Sequence, residues 1–114
     1  MIQQEDVDRY SRLFVAIIVQ AVMDAGTKPN EDEKREQINI VPEATSAMEY
    51  LFGCDRHVFA HHAALIGADA EQIRESLIHR DQPLTMQHTM VTPDKLRTLR
   101  IRYRWHKNRS IEYV

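Results

Sequence analysis

The sequence predicts a mainly α fold: a compact four-helix domain with a helix-turn-helix-like hairpin and a short basic C-terminal strand pair or helix. Three observations predict it. Apolar residues recur at three- and four-residue steps over residues 5–25 and again over 42–79. The chain's three glycines, Gly26, Gly53 and Gly67, each follow one of these periodic stretches, where helices stop. Beyond residue 81 the pattern changes to arginines alternating with apolar residues. A length of 114 residues suits a single domain, with a helical core over 1–81 and a basic extension over 82–114. Such a length buries a core without needing disulfides or metals.

Val7, Tyr10, Phe14, Ile17 and Ala21 mark the inward face of a first helix over 5–25, and Leu13, Ile18 and Val22 widen the stripe. Acids in its first turn suit the helix dipole, and Gly26 follows its end. The polar segment from Thr27 to Gln37 reads as a loop. Pro42 favours the first turn of a second helix that buries Ala44, Ala47, Met48, Leu51 and Phe52 and ends at Gly53. Asp55 is the expected cap of a third helix, with Val58, Phe59, Ala63 and Ile66 inward and Gly67 closing it. Asp69 and Gln72 have the spacing of a capping box for a fourth helix from Ala70 to about His79, which buries Ile73 and Leu77.

The tail admits two readings. Leu99, Ile101, Tyr103 and Trp105 alternate with Arg100, Arg102 and Arg104, a period-two pattern that favours a strand. Thr92-Pro93-Asp94 is also a helix opener, and a helix from Pro93 would gather Leu96, Leu99 and Tyr103 on one side.

Composition excludes several classes. Apolar residues at 43% and charged residues at 28% are globular rather than disordered values. The apolar run Leu13–Met23 is interrupted at Gln20 and falls short of the roughly 20 residues of a membrane span. Acids precede it where a signal peptide needs cations. The single cysteine, Cys54, rules out an internal disulfide framework and suits a reducing, cytoplasmic compartment. No phosphate-cradling glycine loop or nucleophile elbow is present, so the chain reads as a non-enzyme without a cofactor.

Charge is unevenly spread. Residues 1–53 carry ten acids and five bases, whereas residues 82–114 carry two acids and seven bases. A cationic end calls for an anion, either nucleic acid or the acidic front of the same or a second chain. In Phe59–Ile78, Ala63 is small enough for a helix crossing, Gly67 tolerates a left-handed turn, and Ile66, Ala68, Ile73 and Leu77 can pin one helix to the other. This spacing resembles the helix-turn-helix of small phage repressors of the Cro type. The resemblance implies that Gln72 and Arg74, early in the second helix, read adenine and guanine edges in a major groove, usually as a dimer on two half-sites. Glu71 and Glu75 on the same helix oppose contact with a polyanion. Arg97, Arg100, Arg102, Arg104, Lys107 and Arg109 are the candidate phosphate contacts, with Tyr103 and Trp105 interleaved. Cys54, His57 and His61, at i, i+3 and i+7, are a metal-ligand constellation that lacks a fourth ligand. Buried packing is the alternative for the cysteine.

Three blocks, Leu13–Gly26, Ala47–Phe52 and Phe59–Leu77, together resemble a loose group of small phage- and prophage-encoded helical proteins. That group usually has Trp-Leu where this chain has Tyr50-Leu51. The resemblance implies an accessory or regulatory role and transfers no site residue. Two functions follow as expectations: a DNA-binding regulator of phage or mobile-element type, or an adaptor or inhibitor that docks on a host or phage protein. The apolar excess of residues 13–23 supports the second.

Overall fold

The computed structural model describes residues 4–28, 41–79, 84–86, 89–109 and 113. Among the described residues the protein is mainly helical, with five helices and one hairpin: α1 (Gln4–Ala25), α2 (Pro42–Leu51), α3 (Arg56–Leu65), α4 (Ala70–His79), β1 (Leu84–Met86), β2 (Thr89–Val91) and α5 (Pro93–Lys107). The expected loop from Thr27 to Gln37 lies mostly outside the described residues.

Local chemistry explains the boundaries. Pro42 occupies the first turn of α2, where its missing N–H costs nothing. At the end of α3, Gly67 adopts φ +73°. The Ala68 N–H then reaches the Ala63 carbonyl at 2.8 Å and the Gly67 N–H reaches Ala64 at 3.1 Å, a Schellman closure that satisfies two carbonyls the helix leaves open. Asp69 caps α4 as expected, its Oδ1 accepting from the Glu71 N–H at 2.9 Å and the Gln72 N–H at 3.4 Å. Asp55 precedes α3 as expected but makes no side-chain capping bond.

The tail corrects the strand reading of residues 99–105. Thr92 Oγ1 accepts from the Lys95 N–H at 3.3 Å, Pro93 follows at the first helical position, and a fifteen-residue helix results. The strand pair exists too, but earlier: β1 and β2 are antiparallel, with Leu84 opposite Val91 and Met86 opposite Thr89. Local alternation loses to capping because the helix buries Leu96 and Leu99 with Arg102 and His106, leaving Ile101 exposed.

The core joins all five helices and β2: Ile18 and Val22 of α1, Met48, Leu51 and Phe52 at α2, Phe59, Leu77, Val91, Leu96 and Leu99. Gly26 follows α1 where α5 crosses it. A Cβ there would stand 2.7 Å from the Lys95 carbonyl oxygen, so glycine is required for the close approach and not for its torsions.

The inward face of α1 differs from expectation. Ile18, Ala21, Val22 and Ala25 are buried, whereas Tyr10, Leu13 and Ile17 are 58%, 54% and 36% exposed. The helix carries more apolar surface than its neighbours cover. Among the described residues, no helix is long and apolar enough to cross a membrane.

Candidate functional site

The two expected base readers part company. Gln72 is exposed, but Arg74 is 7% exposed and is corrected to a structural residue. Its Nε donates to the Leu51 carbonyl at 2.7 Å, its Nη1 pairs with Glu71, and its guanidinium stands 5.2 Å from the Phe59 ring centroid. Leu51 ends α2, so its carbonyl has no partner within the helix. Arg74 supplies the donor from α4 and covers Phe59 of α3 at the same time. The described outward residues of α4 are Glu71, Gln72, Glu75 and His79, a surface with no arginine to offer a base edge.

Two more candidate arginines do the same at other helix ends. Arg102, fully buried, donates from Nη1 to the Ala25 carbonyl at 2.8 Å, closing the end of α1. Burial lowers its pKa. Half-buried Arg100 donates from Nε to the Leu77 carbonyl at 2.9 Å, in the last turn of α4. A cation at a helix C-terminus meets both the open carbonyl and the negative end of the dipole. Arg74, Arg100 and Arg102 thus tie α2, α4 and α1 to neighbouring helices, and Arg102 is corrected from a phosphate contact to a core residue. Sequence gives no direct signal for this, because a buried arginine and a solvated one look alike until the partner carbonyl is placed.

The remaining cations stay outward. Arg97, Arg104 and Lys107 are exposed and lie on one side of α5, as positions i, i+7 and i+10 must. Arg97 pairs with Asp94 at 3.0 Å, both ends being open to water, so the pair contributes little. Lys107 Nζ stands 5.5 Å from the Tyr103 ring centroid. Exposed Arg109 lies 4.2 Å from the centroid of Trp105 and donates to the Trp105 carbonyl at 3.1 Å, so the indole is covered by a cation of its own chain.

Cys54, His57 and His61 are each exposed. They do not converge: among the described residues no group of three His, Cys, Asp or Glu side chains is placed to hold a metal. His62, their neighbour, faces inward instead. Its ring stacks on Phe14 at 4.9 Å, and its Nδ1 lies 2.8 Å from the Tyr50 hydroxyl. Burial raises the Tyr50 pKa to about 12, so the phenol keeps its proton at neutral pH. Burial first, and then the charge of His61, lowers the pKa of His62. A protonated phenol beside a neutral imidazole is consistent with Tyr50 donating to Nδ1.

Above this cluster lies the surface that the apolar excess of residues 13–23 signals. An open groove of about 620 Å³ runs between α1 and α2, walled by Ile17, Gln20, Ala21 and Asp24 on one side and Glu43, Ser46, Ala47 and Tyr50 on the other. At about 100° per residue, Tyr10, Leu13, Ile17, Ala21 and Asp24 fall on one side of α1, so the exposed stripe runs into the groove. Its described lining is mostly apolar, with the carboxylates of Asp24 and Glu43 at one end. No protein-family model, curated protein or solved structure matches the chain.

Proposed function

We propose that the protein is a non-catalytic interaction module, of adaptor or inhibitor type, that docks on another polypeptide through the outer face of α1 and the groove beside α2. One observation carries this reading: Tyr10, Leu13 and Ile17 form a continuous exposed apolar stripe on a single helix. A contiguous apolar patch facing water raises the free energy of the unbound protein and is the usual mark of a contact surface. The resemblance of three sequence blocks to small phage-encoded accessory proteins supports the same class. Immobilised protein and a Leu13→Glu variant, exposed to one bacterial lysate, test the reading. Polypeptides retained by the first and lost by the second are expected; identical retention by both overturns it, as does retention by neither when the chain also fails to self-associate.

A second reading, DNA binding in a regulator of phage type, has its own support. Arg97, Arg104, Lys107 and Arg109 are exposed, and α3 and α4 meet at a glycine turn with the spacing of a helix-turn-helix. Because Arg74 is engaged with Leu51 and Glu71, the binding proposed is to phosphates, without base reading by that residue. Duplex DNA titrated at low and at moderate salt tests it: affinity that falls with salt and falls again in Arg104→Ala/Lys107→Ala is expected. No binding at low salt removes the reading.

A further inference from the structure

The occupant of the groove can be named from charge and symmetry. We infer that a second copy of this chain docks there, the two α1 helices crossing antiparallel about a twofold axis near Ile17. The inference rests on the docking role of this face proposed above and commits it to one partner.

A homodimer contact about a twofold must be self-complementary, each copy offering both knob and hole. The face of α1 offers both. Its N-terminal half presents the exposed Tyr10 and Leu13; its C-terminal half presents the groove floor at Ala21 and Asp24. Antiparallel pairing centred on Ile17 sets Leu13 of one copy opposite Ala21 of the other, large against small, and Tyr10 opposite Asp24. Parallel pairing would set Leu13 against Leu13 and leave both grooves open.

Charge agrees with the direction. Arg9 is exposed and flanks the stripe on the side that carries Gln20. Antiparallel helices bring like flanks together, so Arg9 of one copy reaches the end of the other where Asp24 accepts from Gln20 Nε2 at 2.8 Å. Glu43 stands across the same groove. Head-to-tail pairing thus sets one cation, Arg9, against the carboxylates of Asp24 and Glu43 at each end of the contact, a juxtaposition that parallel pairing does not give. A helix of 22 residues spans about 33 Å, long enough for both ends to engage together.

Sedimentation of the full chain over a wide concentration range reads the result. A monomer–dimer equilibrium is expected, and Leu13→Glu should weaken it by roughly tenfold or more, the scale of losing a central apolar anchor, with unchanged circular dichroism. Arg9→Glu and Asp24→Arg should each weaken it, and the double variant should recover it. That recovery is an outcome no folding defect produces. With Cys54→Ser as background, Ile17→Cys should oxidise to a cross-linked dimer, whereas Gln72→Cys should not. A monomer at every concentration, or a dimer indifferent to Leu13→Glu and the charge exchange, overturns the inference. If the chain stays monomeric yet retains a lysate protein in a Leu13-dependent way, self-pairing falls and the interaction module stands. If neither association is seen, both fall.

Discussion

Arg102 and Ala25 lie 77 positions apart, and the arginine Nη1 donates to the alanine carbonyl oxygen at 2.8 Å. The bond closes the C-terminal end of α1 with a side chain from the middle of α5. Arg74 on the Leu51 carbonyl and Arg100 on the Leu77 carbonyl repeat the device. Three of the chain's cations are thereby spent on helix ends inside the fold.

Replacing Arg102 by Met keeps its length and apolar stem but leaves the Ala25 carbonyl buried without that donor. The expected cost is about 1–3 kcal/mol, the range for stranding a buried polar group. Urea denaturation measures it, and an unchanged midpoint contradicts the structural role given to this residue.

Arg74→Lys tests geometry at constant charge. A lysine is a point donor and cannot serve Leu51, Glu71 and the Phe59 ring from one planar fork. A loss of about 1 kcal/mol or more is expected, while Arg104→Ala, on the open side of α5, should stay within about 0.5 kcal/mol of the parent. Equal effects of the two changes would remove the distinction between tying and solvated arginines.

The two functional glycines should fail for different reasons. Gly26→Ala drives a methyl against the Lys95 backbone at 2.7 Å and should cost about 1–3 kcal/mol through overpacking. Gly67→Ala meets nothing within 4 Å, so only its left-handed torsion resists, at about 1–2 kcal/mol. Torsion separates them: Gly67→Asn, whose side chain tolerates the left-handed region, should recover part of the loss at that position in thermal melts, whereas Gly26→Asn should be no better than Gly26→Ala.

His106 predicts an acid sensitivity. It is buried, stacks on Tyr113 at 5.2 Å and 9°, and its Nε2 has no hydrogen-bond partner among the described residues. Burial lowers its pKa, with Arg102 and Arg109 acting in the same direction and Glu49 opposing. The unfolded chain therefore binds the proton more readily than the folded one. Stability from the neutral ring is fully present above the ordinary histidine pKa, near 6.5, and is lost as pH falls from there through the lowered folded value. His106→Phe should reduce the slope of stability against pH over that acid interval, leaving the contribution of His62, whose pKa is also lowered. An unaltered slope would assign the sensitivity to other groups.

Much of this architecture was legible in the sequence. Pro42, Gly67 and Asp69 act on their own neighbours, and their local chemistry places the boundaries of α2, α3 and α4. The tail was harder because Leu99 to Trp105 satisfies a strand by alternation and a helix by its opener. Thr92 and Pro93 act before that alternation begins, and a helix also lets Arg102 face inward, which no alternation rule anticipates. The candidate site was the least legible part. Whether Leu13 or Ile18 turns inward depends on where α2 and α3 pack, and whether Arg74 or Arg104 meets solvent depends on a carbonyl many positions away. Both are facts of tertiary packing rather than of spacing.

The contact at Gly26 also bears on how the chain assembles. The end of α1 meets the Lys95 backbone near the start of α5, so this close packing forms only once α5 has been synthesised. Closing so long a loop is slow relative to local helix formation. Until α5 is in place, the part of the core that Leu96 and Leu99 complete stays open to water.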